Sequence, residues 1–168
     1  LLSSAISKYG STNDQEVKNI EKNTEKLSEI KKSNYQLIKN EKEIKDFKPD
    51  IVGLTILMDQ YAEAANMTTE IIKNVSQNIT TVLGGVYAMA NPKRAMEDKN
   101  LDYVVIGEGE YVFRQLVGYH CKACELPDRG IAFRKSNGEL ENRGHSAFIK
   151  NLDILPKPAY HLIDFQAY

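Results

Sequence analysis

A continuous apolar run in the middle of the chain reads Ile51-Val52-Gly53-Leu54-Thr55-Ile56-Leu57. A run of this length without polar alternation is typical of a strand that is buried on both faces in a parallel sheet. Asp59 follows at a position where its carboxylate can cap a helix. The apolar side chains of that helix share one face, which comprises Tyr61, Ala64, Ala65, Thr68, Ile71, Ile72 and Val75. The run therefore predicts a buried strand followed by an amphipathic helix.

Two further strand–helix units follow the first. Residues 79–83 and 101–106 are again apolar runs, and Asn91-Pro92 predicts the N-cap and first residue of a short helix that continues to about Asp98. The helix after the third run turns Val112, Phe113, Leu116 and Val117 towards the sheet. Strands and helices that alternate at this spacing form right-handed βαβ units. We therefore expect an α/β fold with a doubly wound, flavodoxin- or Rossmann-like sheet that is mostly parallel.

The N-terminal part of the chain carries weaker signals. Residues 1–9 predict a short amphipathic helix, and residues 11–48 alternate charges of both signs, as a solvated helical face does. Within the charged segment, either residues 17–20 or residues 35–38 form a short edge strand. Residues 41–47 predict a last helical turn or two before the strand begins.

In the C-terminal part, the pattern of apolar residues no longer alternates between strands and helices. Asn137-Gly138 lies between two short apolar stretches and predicts a β-hairpin turn. After it, Pro156 and Pro158 are typical of a linker. The predicted organisation is an α/β domain over residues 1–125, a β-hairpin extension over residues 126–150 and a linker towards another domain over residues 151–168.

Composition excludes several classes of function. The chain has 168 residues, 42% hydrophobic and 27% charged, with a formal net charge of −1, so no basic field favours a nucleic acid partner. No apolar run approaches the roughly 20 residues needed to cross a bilayer. Cys121 and Cys124 form a single C-x-x-C pair, which supplies only half of a structural zinc site, and we predict no metal ligands. Two cysteines in a chain of this size fit a reducing cytoplasm.

In open α/β sheets, ligands bind beyond the carboxyl ends of the strands. Three loops leave those ends here, and their residues are the candidate binding site: Thr55, Leu57, Met58, Gln60 and Tyr61 after the first strand, Gly84, Gly85, Val86 and Tyr87 after the second, and Gly107, Glu108, Gly109 and Glu110 after the third. Glycines let the backbone approach a ligand closely. They also make tight strand-to-helix turns, and a capping role at a helix N-terminus explains the two glutamates without any ligand.

Two other α/β classes remain open on these residues alone. A flavodoxin-like or receiver-like module would share the sheet, and a nucleotide- or nucleotide-sugar-binding module would use the Gly84-Gly85 loop against a diphosphate. Glu108 and Glu110 would repel a phosphate at the third loop. Neither a G-x-G-x-x-G after a strand nor a Walker A lysine is present, so both motif-based nucleotide assignments are weak.

Three segments together resemble a known family. They are Lys48-Pro49-Asp50-Ile51-Val52-Gly53-Leu54-Thr55, Thr81-Val82-Leu83-Gly84-Gly85 and Asp102-Tyr103-Val104-Val105-Ile106-Gly107-Glu108-Gly109-Glu110. Their order resembles the cobalamin-binding domain that precedes the catalytic barrel in many radical S-adenosylmethionine (SAM) enzymes. Thr55-Ile56-Leu57 matches the Ser-x-Leu element of such domains, with threonine in place of serine. Residues 58 through 83, 26 residues, separate it from the Gly84-Gly85 element. The resemblance covers about residues 48–165 well and residues 1–47 poorly.

The resemblance implies a role for each element. In the family, the hydroxyl and the glycines line the slot that receives the dimethylbenzimidazole tail of cobalamin, and Tyr61 and Tyr87 are candidates for packing on the lower face of the corrin. The cobalt-ligating Asp-x-His-x-x-Gly motif is absent from this chain, which implies that no histidine ligates cobalt through it.

The family's chemistry needs a second domain. The three-cysteine motif for a [4Fe-4S] cluster is also absent, so the cluster, SAM and the catalytic residues would belong to a radical SAM domain on the C-terminal side. The parent would then resemble a methyltransferase or a cyclase. On this interpretation the chain is a cofactor-holding piece that lacks the first strand of its domain.

Overall fold

The computed structural model describes residues 41–157 and residue 160, and the statements below concern these residues. The predicted helix at 1–9 and the alternative edge strands at 17–20 and 35–38 lie outside the described residues. Residues 41–47 are helical and end shortly before Pro49, as predicted. No helix in the described part has the length and apolar character needed to cross a membrane.

A single sheet of five strands organises the described residues. The strands are β1 (Ile51–Thr55), β2 (Thr80–Gly84), β3 (Tyr103–Val105), β4 (Ile131–Arg134) and β5 (Leu140–Asn142), and they lie in sequential order. The first three are parallel, whereas β4 and β5 are antiparallel and form the predicted hairpin, with Gly138 at a φ of +83° in its turn. The hairpin extends the main sheet, because β4 pairs directly with β3.

The helices connect the strands in the predicted order. They are α1 (Ala62–Val75), α2 (Val86–Ala90), α3 (Pro92–Ala95) and α4 (Gly109–His120), and a 3₁₀ turn, Asp59–Tyr61, precedes α1. Asp59 does not cap this turn, because its carboxylate forms an ion pair with Arg94 at 3.1 Å. Helix α3 starts with Asn91-Pro92 as predicted but ends at Ala95, before Asp98.

The helices cover both faces of the sheet, which confirms a doubly wound α/β fold. On one face, α1–α3 enclose a core that contains Ala65, Leu83, Tyr87, Ala88, Ala95, Met96, Leu101, Val104 and Ile106. On the other face, α4 contributes Val112 and Leu116 to a core with Val82, Val105 and Ile131. Fully burying an aliphatic side chain of this size stabilises the fold by about 1.5–3 kcal/mol.

Strand β1 is less buried than its apolar sequence predicts. Among the described residues it pairs only with β2, and Gly53 and Thr55 are exposed on the α4 face while Leu54 is half-buried on the other. Helix α4 packs mainly over β2, β3 and β4, through Val82, Val105 and Ile131, and reaches β1 at Gly53 through the Phe113 side chain. The expectation of a strand buried on both faces is therefore wrong within the described part, and the less covered face of β1 is where a cleft forms.

Candidate functional site

A cleft of about 440 Å³ lies at the carboxyl ends of β1, β2 and β3, on the face that α4 partly covers. Its lining consists of Gly53, Leu54, Thr55, Val82, Gly84, Gly85, Val105, Gly107, Gly109, Glu110 and Phe113. Five of these eleven residues are glycines, and the only charged one is Glu110. The structure thus brings residues of all three predicted loops into one cleft.

Three of the glycines leave room for a ligand. A Cβ atom built at Gly84 would have no atom within 4 Å, so this position opens directly into the cleft. At Gly53 a Cβ would lie 3.7 Å from Phe113 Cζ, and at Gly109 it would lie 3.6 Å from Val105 Cγ1, both ordinary van der Waals distances. Side chains could be accommodated at these positions without backbone strain. Their absence therefore gives space to the cleft.

Gly85 has a different role from its neighbour. Its φ is +92°, and a Cβ there would lie 2.5 Å from the carbonyl oxygen of Ile56. The Ile56 amide donates to the Gly84 carbonyl at 3.3 Å, and the Tyr87 amide donates to the Ile56 carbonyl at 3.3 Å. Gly85 is thus the glycine that lets the first and second loops interlock, which is the tight-turn role left open by the sequence.

A second, more apolar cleft of about 480 Å³ adjoins the first across Thr55. Its lining consists of Leu54, Thr55, Ile56, Leu57, Met58, Tyr61, Ala64, Ala65 and Thr68. Leu57, Met58 and Tyr61 are 62%, 53% and 47% exposed, unusual values for large apolar side chains. Val86, from the second loop, is 53% exposed. Contiguous exposed apolar surface of this kind marks a binding site.

Four of the predicted site residues line neither cleft: Gln60, Val86, Tyr87 and Glu108. Tyr87 is only 6% exposed and belongs to the core on the α1–α3 face, so the expectation that it packs on a ligand is wrong. Burial raises the pKa of the Tyr87 phenol above its ordinary value. The Glu108 carboxylate accepts a hydrogen bond from the Ile149 amide and is not part of either lining. Gln60 is exposed on the 3₁₀ turn and lines neither cleft.

Sequence reasoning missed the deeper part of the first cleft. Gly53 and Val82 lie two residues before Thr55 and Gly84, and strand alternation places such residues on the same face of the sheet. Phe113 follows Gly109 by four residues, so both lie on one side of α4. Extending each predicted loop by one strand or helix period would have found these three residues.

The charged side chains around the first cleft argue against a diphosphate ligand. Among the residues that the structure describes, no lysine or arginine lines the first cleft, and Glu110 places a carboxylate at its edge beside the N-terminus of α4. Arg94 is held by Asp59 on the outside of the first loop. A diphosphate would therefore meet a carboxylate and no cation in the cleft.

No metal site is found among the described residues, since none of their His, Cys, Asp and Glu side chains form a group of three or more that could hold an ion. His120 Nδ1 lies 3.3 Å from Thr80 Oγ1, at the start of β2 and hence at the end of the sheet opposite the cleft. Cys121 and Cys124 are both exposed free thiols, and Cys124 donates to the Gln115 carbonyl.

Two curated relatives match about three quarters of the chain. A relative from Pyrococcus horikoshii, named an uncharacterized methyltransferase, is 36% identical over 127 residues, covering 74% of this chain and 27% of its own length. The anaerobic magnesium-protoporphyrin IX monomethyl ester cyclase of Rubrivivax gelatinosus is 32% identical over 130 residues, covering 74% of this chain and 23% of its own length. The chain thus spans about a quarter of the length of these curated relatives.

The fold also matches a solved structure. The cobalamin-dependent S-adenosylmethionine radical enzyme OxsB, with aqua-cobalamin and S-adenosylmethionine bound, superposes with a TM-score of 0.53 and 24% identity over 64% of this chain and 15% of that one. This likeness supports the fold. The family model described as the B12 binding domain matches residues 6–117, which include β1–β3 and most of α4. The chain belongs to the B12-binding domain family.

Proposed function

We propose that this chain binds cobalamin in the two adjoining clefts and presents it to a radical SAM catalytic domain in a longer protein. Membership of the B12-binding family supports the ligand. The relatives are named as methyltransferases and a cyclase, and the chain spans about a quarter of their length, which supports a second, catalytic part. The parent's reaction would then be a methyl transfer or a ring closure.

The observation that carries this proposal is the open position at Gly84. A flat, bulky group such as the dimethylbenzimidazole tail needs a slot without side chains, and the first cleft has glycines at 53, 84 and 109 with free space at the second of them. Leu54, Val82, Val105 and Phe113 supply apolar walls. We assign the tail to this cleft, with the Thr55 hydroxyl at its mouth.

The exposed apolar residues of the first loop fit the corrin ring. Leu57, Met58 and Tyr61 project from the second cleft next to the slot, and Val86 adds to the same edge of the sheet. We assign this surface to the lower face of the macrocycle. Burial of such side chains against a ligand is favourable at about 25 cal/mol per Å² of apolar surface removed from water.

The chain would contribute binding and orientation to the reaction. Bound cobalamin carries the methyl-transfer or radical chemistry itself, while the [4Fe-4S] cluster and SAM belong to the catalytic domain. We assign no catalytic residue and no metal ligand to the described part. For the domain organisation we propose a cobalamin-binding unit over residues 1–125, the hairpin over 126–150 and a linker over 151–168 that leads to the catalytic domain.

The test compares wild type with Gly84→Leu. Purified protein is mixed with excess hydroxocobalamin and desalted, and corrin absorbance is read in the protein fraction. We expect close to one equivalent on wild type and a loss of at least tenfold in affinity for Gly84→Leu, because the new side chain fills the slot without backbone strain. Ala123→Leu, an exposed position at the far end of α4, is the matched control and should bind like wild type.

The alternative assignments are tested by repeating the desalting experiment with other ligands. A flavodoxin-like module would retain flavin mononucleotide in place of hydroxocobalamin, and a nucleotide-sugar module would retain a uridine diphosphate sugar. Retention of either ligand by wild type, with no corrin absorbance, would refute the cobalamin proposal. Equal binding of hydroxocobalamin by Gly84→Leu and wild type would refute the assignment of the tail to this cleft.

A further inference from the structure

The segment after β5 returns to the β3–α4 loop, which lines the first cleft. We call residues 144–149 the strap. The Ser146 amide donates to the Ile106 carbonyl at 2.9 Å, and the Ser146 hydroxyl donates to the Glu108 carbonyl at 3.0 Å. The Ile149 amide donates to the Glu108 carboxylate. Three hydrogen bonds therefore join the strap to Ile106 and Glu108 at the edge of the cleft.

Two glycines make this close approach possible. Gly107 and Gly130 have φ values of +97° and +79°, and a Cβ at Gly107 would lie 2.6 Å from the Ser146 hydroxyl oxygen. A Cβ at Gly130 would lie 2.9 Å from Ser146 Cβ. Gly130 is hydrogen-bonded to both the β3–α4 loop and the strap. Its carbonyl accepts from the Ile106 amide at 2.7 Å, and its amide donates to the Gly144 carbonyl at 3.0 Å. Ser146 thus fits tightly between the loop and the start of β4.

The strap contacts Glu108, whose neighbours in the chain line the first cleft. Gly107, Gly109 and Glu110 are lining residues, and Glu108 lies among them with its carboxylate turned to the strap. The N-cap position of α4 is Glu108, and its side chain makes no capping hydrogen bond within the helix. The carboxylate is therefore used to hold the loop from outside, and the position of the cleft wall depends on a segment nearly forty residues further along the chain.

We propose that Ser146 and Glu108 are positioning residues, which hold the Gly107–Glu110 wall of the cleft in the conformation that accepts the cobalamin tail. This inference rests on the proposed function of the cleft, and it assigns to the strap a role in ligand affinity. Neither residue touches the ligand in this account. They act through Gly107 and Gly109, whose backbone forms the wall.

The test uses two corrinoids that differ in the tail. Affinities of the full chain for hydroxocobalamin and for aquacobinamide, which lacks the nucleotide tail, are measured for wild type, Ser146→Ala and Glu108→Ala. We expect each variant to bind hydroxocobalamin about two- to tenfold more weakly, the effect of one lost hydrogen bond, and to bind aquacobinamide like wild type. Glu108→Gln keeps an oxygen acceptor for the Ile149 amide and should restore wild-type affinity.

Matched controls are Ser136→Ala in the hairpin turn and Glu125→Ala, both exposed and away from the strap. Equal losses of affinity for the two corrinoids in Ser146→Ala or Glu108→Ala would overturn the proposal, because a general loss of structure would weaken both. Unchanged hydroxocobalamin affinity in both variants would also overturn it.

Hydrogen exchange on the ligand-free protein separates this inference from the proposed function. We expect amide exchange over residues 104–112 and 144–150 to become about two- to tenfold faster in Ser146→Ala and Glu108→Ala, and to stay unchanged over α1. Such a result supports the strap even if wild type retains no hydroxocobalamin, in which case only the cobalamin proposal fails. Unchanged exchange over both segments refutes the strap as a positioning element.

Discussion

At the scale of single residues, adjacent glycines at the second strand end have separate tasks. Gly84 faces open space, so its lack of a side chain serves the cleft. Gly85 faces the Ile56 carbonyl at a φ of +92°, so its lack of a side chain serves the backbone. A substitution at Gly84 should therefore change ligand affinity, whereas a substitution at Gly85 should change stability.

Gly85→Ala tests this separation. We expect it to lower the free energy of unfolding by about 2–4 kcal/mol, because alanine is strained at this φ and its Cβ would lie 2.5 Å from a carbonyl oxygen. Urea denaturation measures the change. Gly84→Ala is the matched control and should stay within about 0.5 kcal/mol of wild type, since it meets nothing within 4 Å. Equal losses in the two variants would contradict the division of roles.

Tyr87 gives a prediction for alkaline pH. Burial raises its pKa above the ordinary value, so the folded state holds the phenolic proton more tightly than the unfolded state does. The stability that results is fully present below the unfolded pKa of about 10 and is lost as pH rises through the folded pKa.

The pH prediction is checked with Tyr87→Phe. Its free energy of unfolding should fall less than that of wild type between about pH 8 and about pH 10.5, as measured by urea denaturation at each pH. Tyr111→Phe, at an exposed position, should show the wild-type dependence. An identical pH dependence in Tyr87→Phe and wild type would show that Tyr87 does not contribute.

At the scale of secondary structure, the two ends of the sheet are built differently. The carboxyl ends of β1–β3 are rich in glycine and open, whereas a polar network ties the amino ends of β2 and β3 to α1. Lys73 Nζ lies 2.7 Å from Asp102 Oδ2 and donates to the Ile79 carbonyl at 2.7 Å, and the Thr81 amide donates to the same carboxylate at 2.8 Å. The polar network thus joins the strands at one end of the sheet, and the proposed ligand site lies at the other.

Lys73→Met tests the contribution of this network. Lys73 is 8% exposed, and its loss removes the donor to the Ile79 carbonyl and the cation beside the Asp102 carboxylate, which keeps the Thr81 amide and hydroxyl as donors. We expect a decrease of about 1–3 kcal/mol in the free energy of unfolding, measured in urea. Lys93→Met, on the exposed side of α3, should change it by less than about 0.5 kcal/mol. Hydroxocobalamin affinity should be the same in Lys73→Met as in wild type, because the network lies at the other end of the sheet.

At the scale of the whole molecule, the binding edge is defined by which face each helix covers. Helices α1–α3 pack on one face and α4 on the other, and α4 covers β2, β3 and β4 more completely than β1. The less covered part of the sheet meets three loops, two of which contain glycines, and the strap is hydrogen-bonded to the third loop. A ligand in this cleft would therefore contact all three parallel strands and should stabilise the fold as a unit.

Ligand-induced stabilisation is measurable by thermal unfolding. Hydroxocobalamin at about a hundredfold excess over its Kd should stabilise the chain by about 2.7 kcal/mol and raise its Tm accordingly. Aquacobinamide at the same concentration should raise the Tm less, because it leaves the tail slot empty. In Gly84→Leu, hydroxocobalamin and aquacobinamide should raise the Tm by the same amount. Equal shifts for both corrinoids on wild type would contradict the use of the slot.

Local sequence patterns were sufficient for the order of elements and for most of the loop residues that line the two clefts. The apolar runs predicted the strands, Asn91-Pro92 predicted a helix start, and Asn137-Gly138 predicted a hairpin, and the structure contains all of these. These signals are reliable because they act over a few neighbouring residues. The three loops with Thr55, Gly84-Gly85 and Gly107–Gly109 were found for a similar reason, since parallel strands bring their carboxyl ends to one edge.

The remaining features depended on contacts between residues that are distant in the chain. No local pattern distinguishes the open position at Gly84 from the crowded one at Gly85, because the difference is the Ile56 carbonyl of another loop. Tyr87 is buried and Glu108 is turned to the strap for the same kind of reason, since α2 packs on the sheet and residues 144–149 return to α4. The sequence alone thus determined which elements form and where their ends meet. Only tertiary packing decided which side chains at that edge line the clefts and which are buried, because burial and steric space are set by neighbours that the chain brings together on folding.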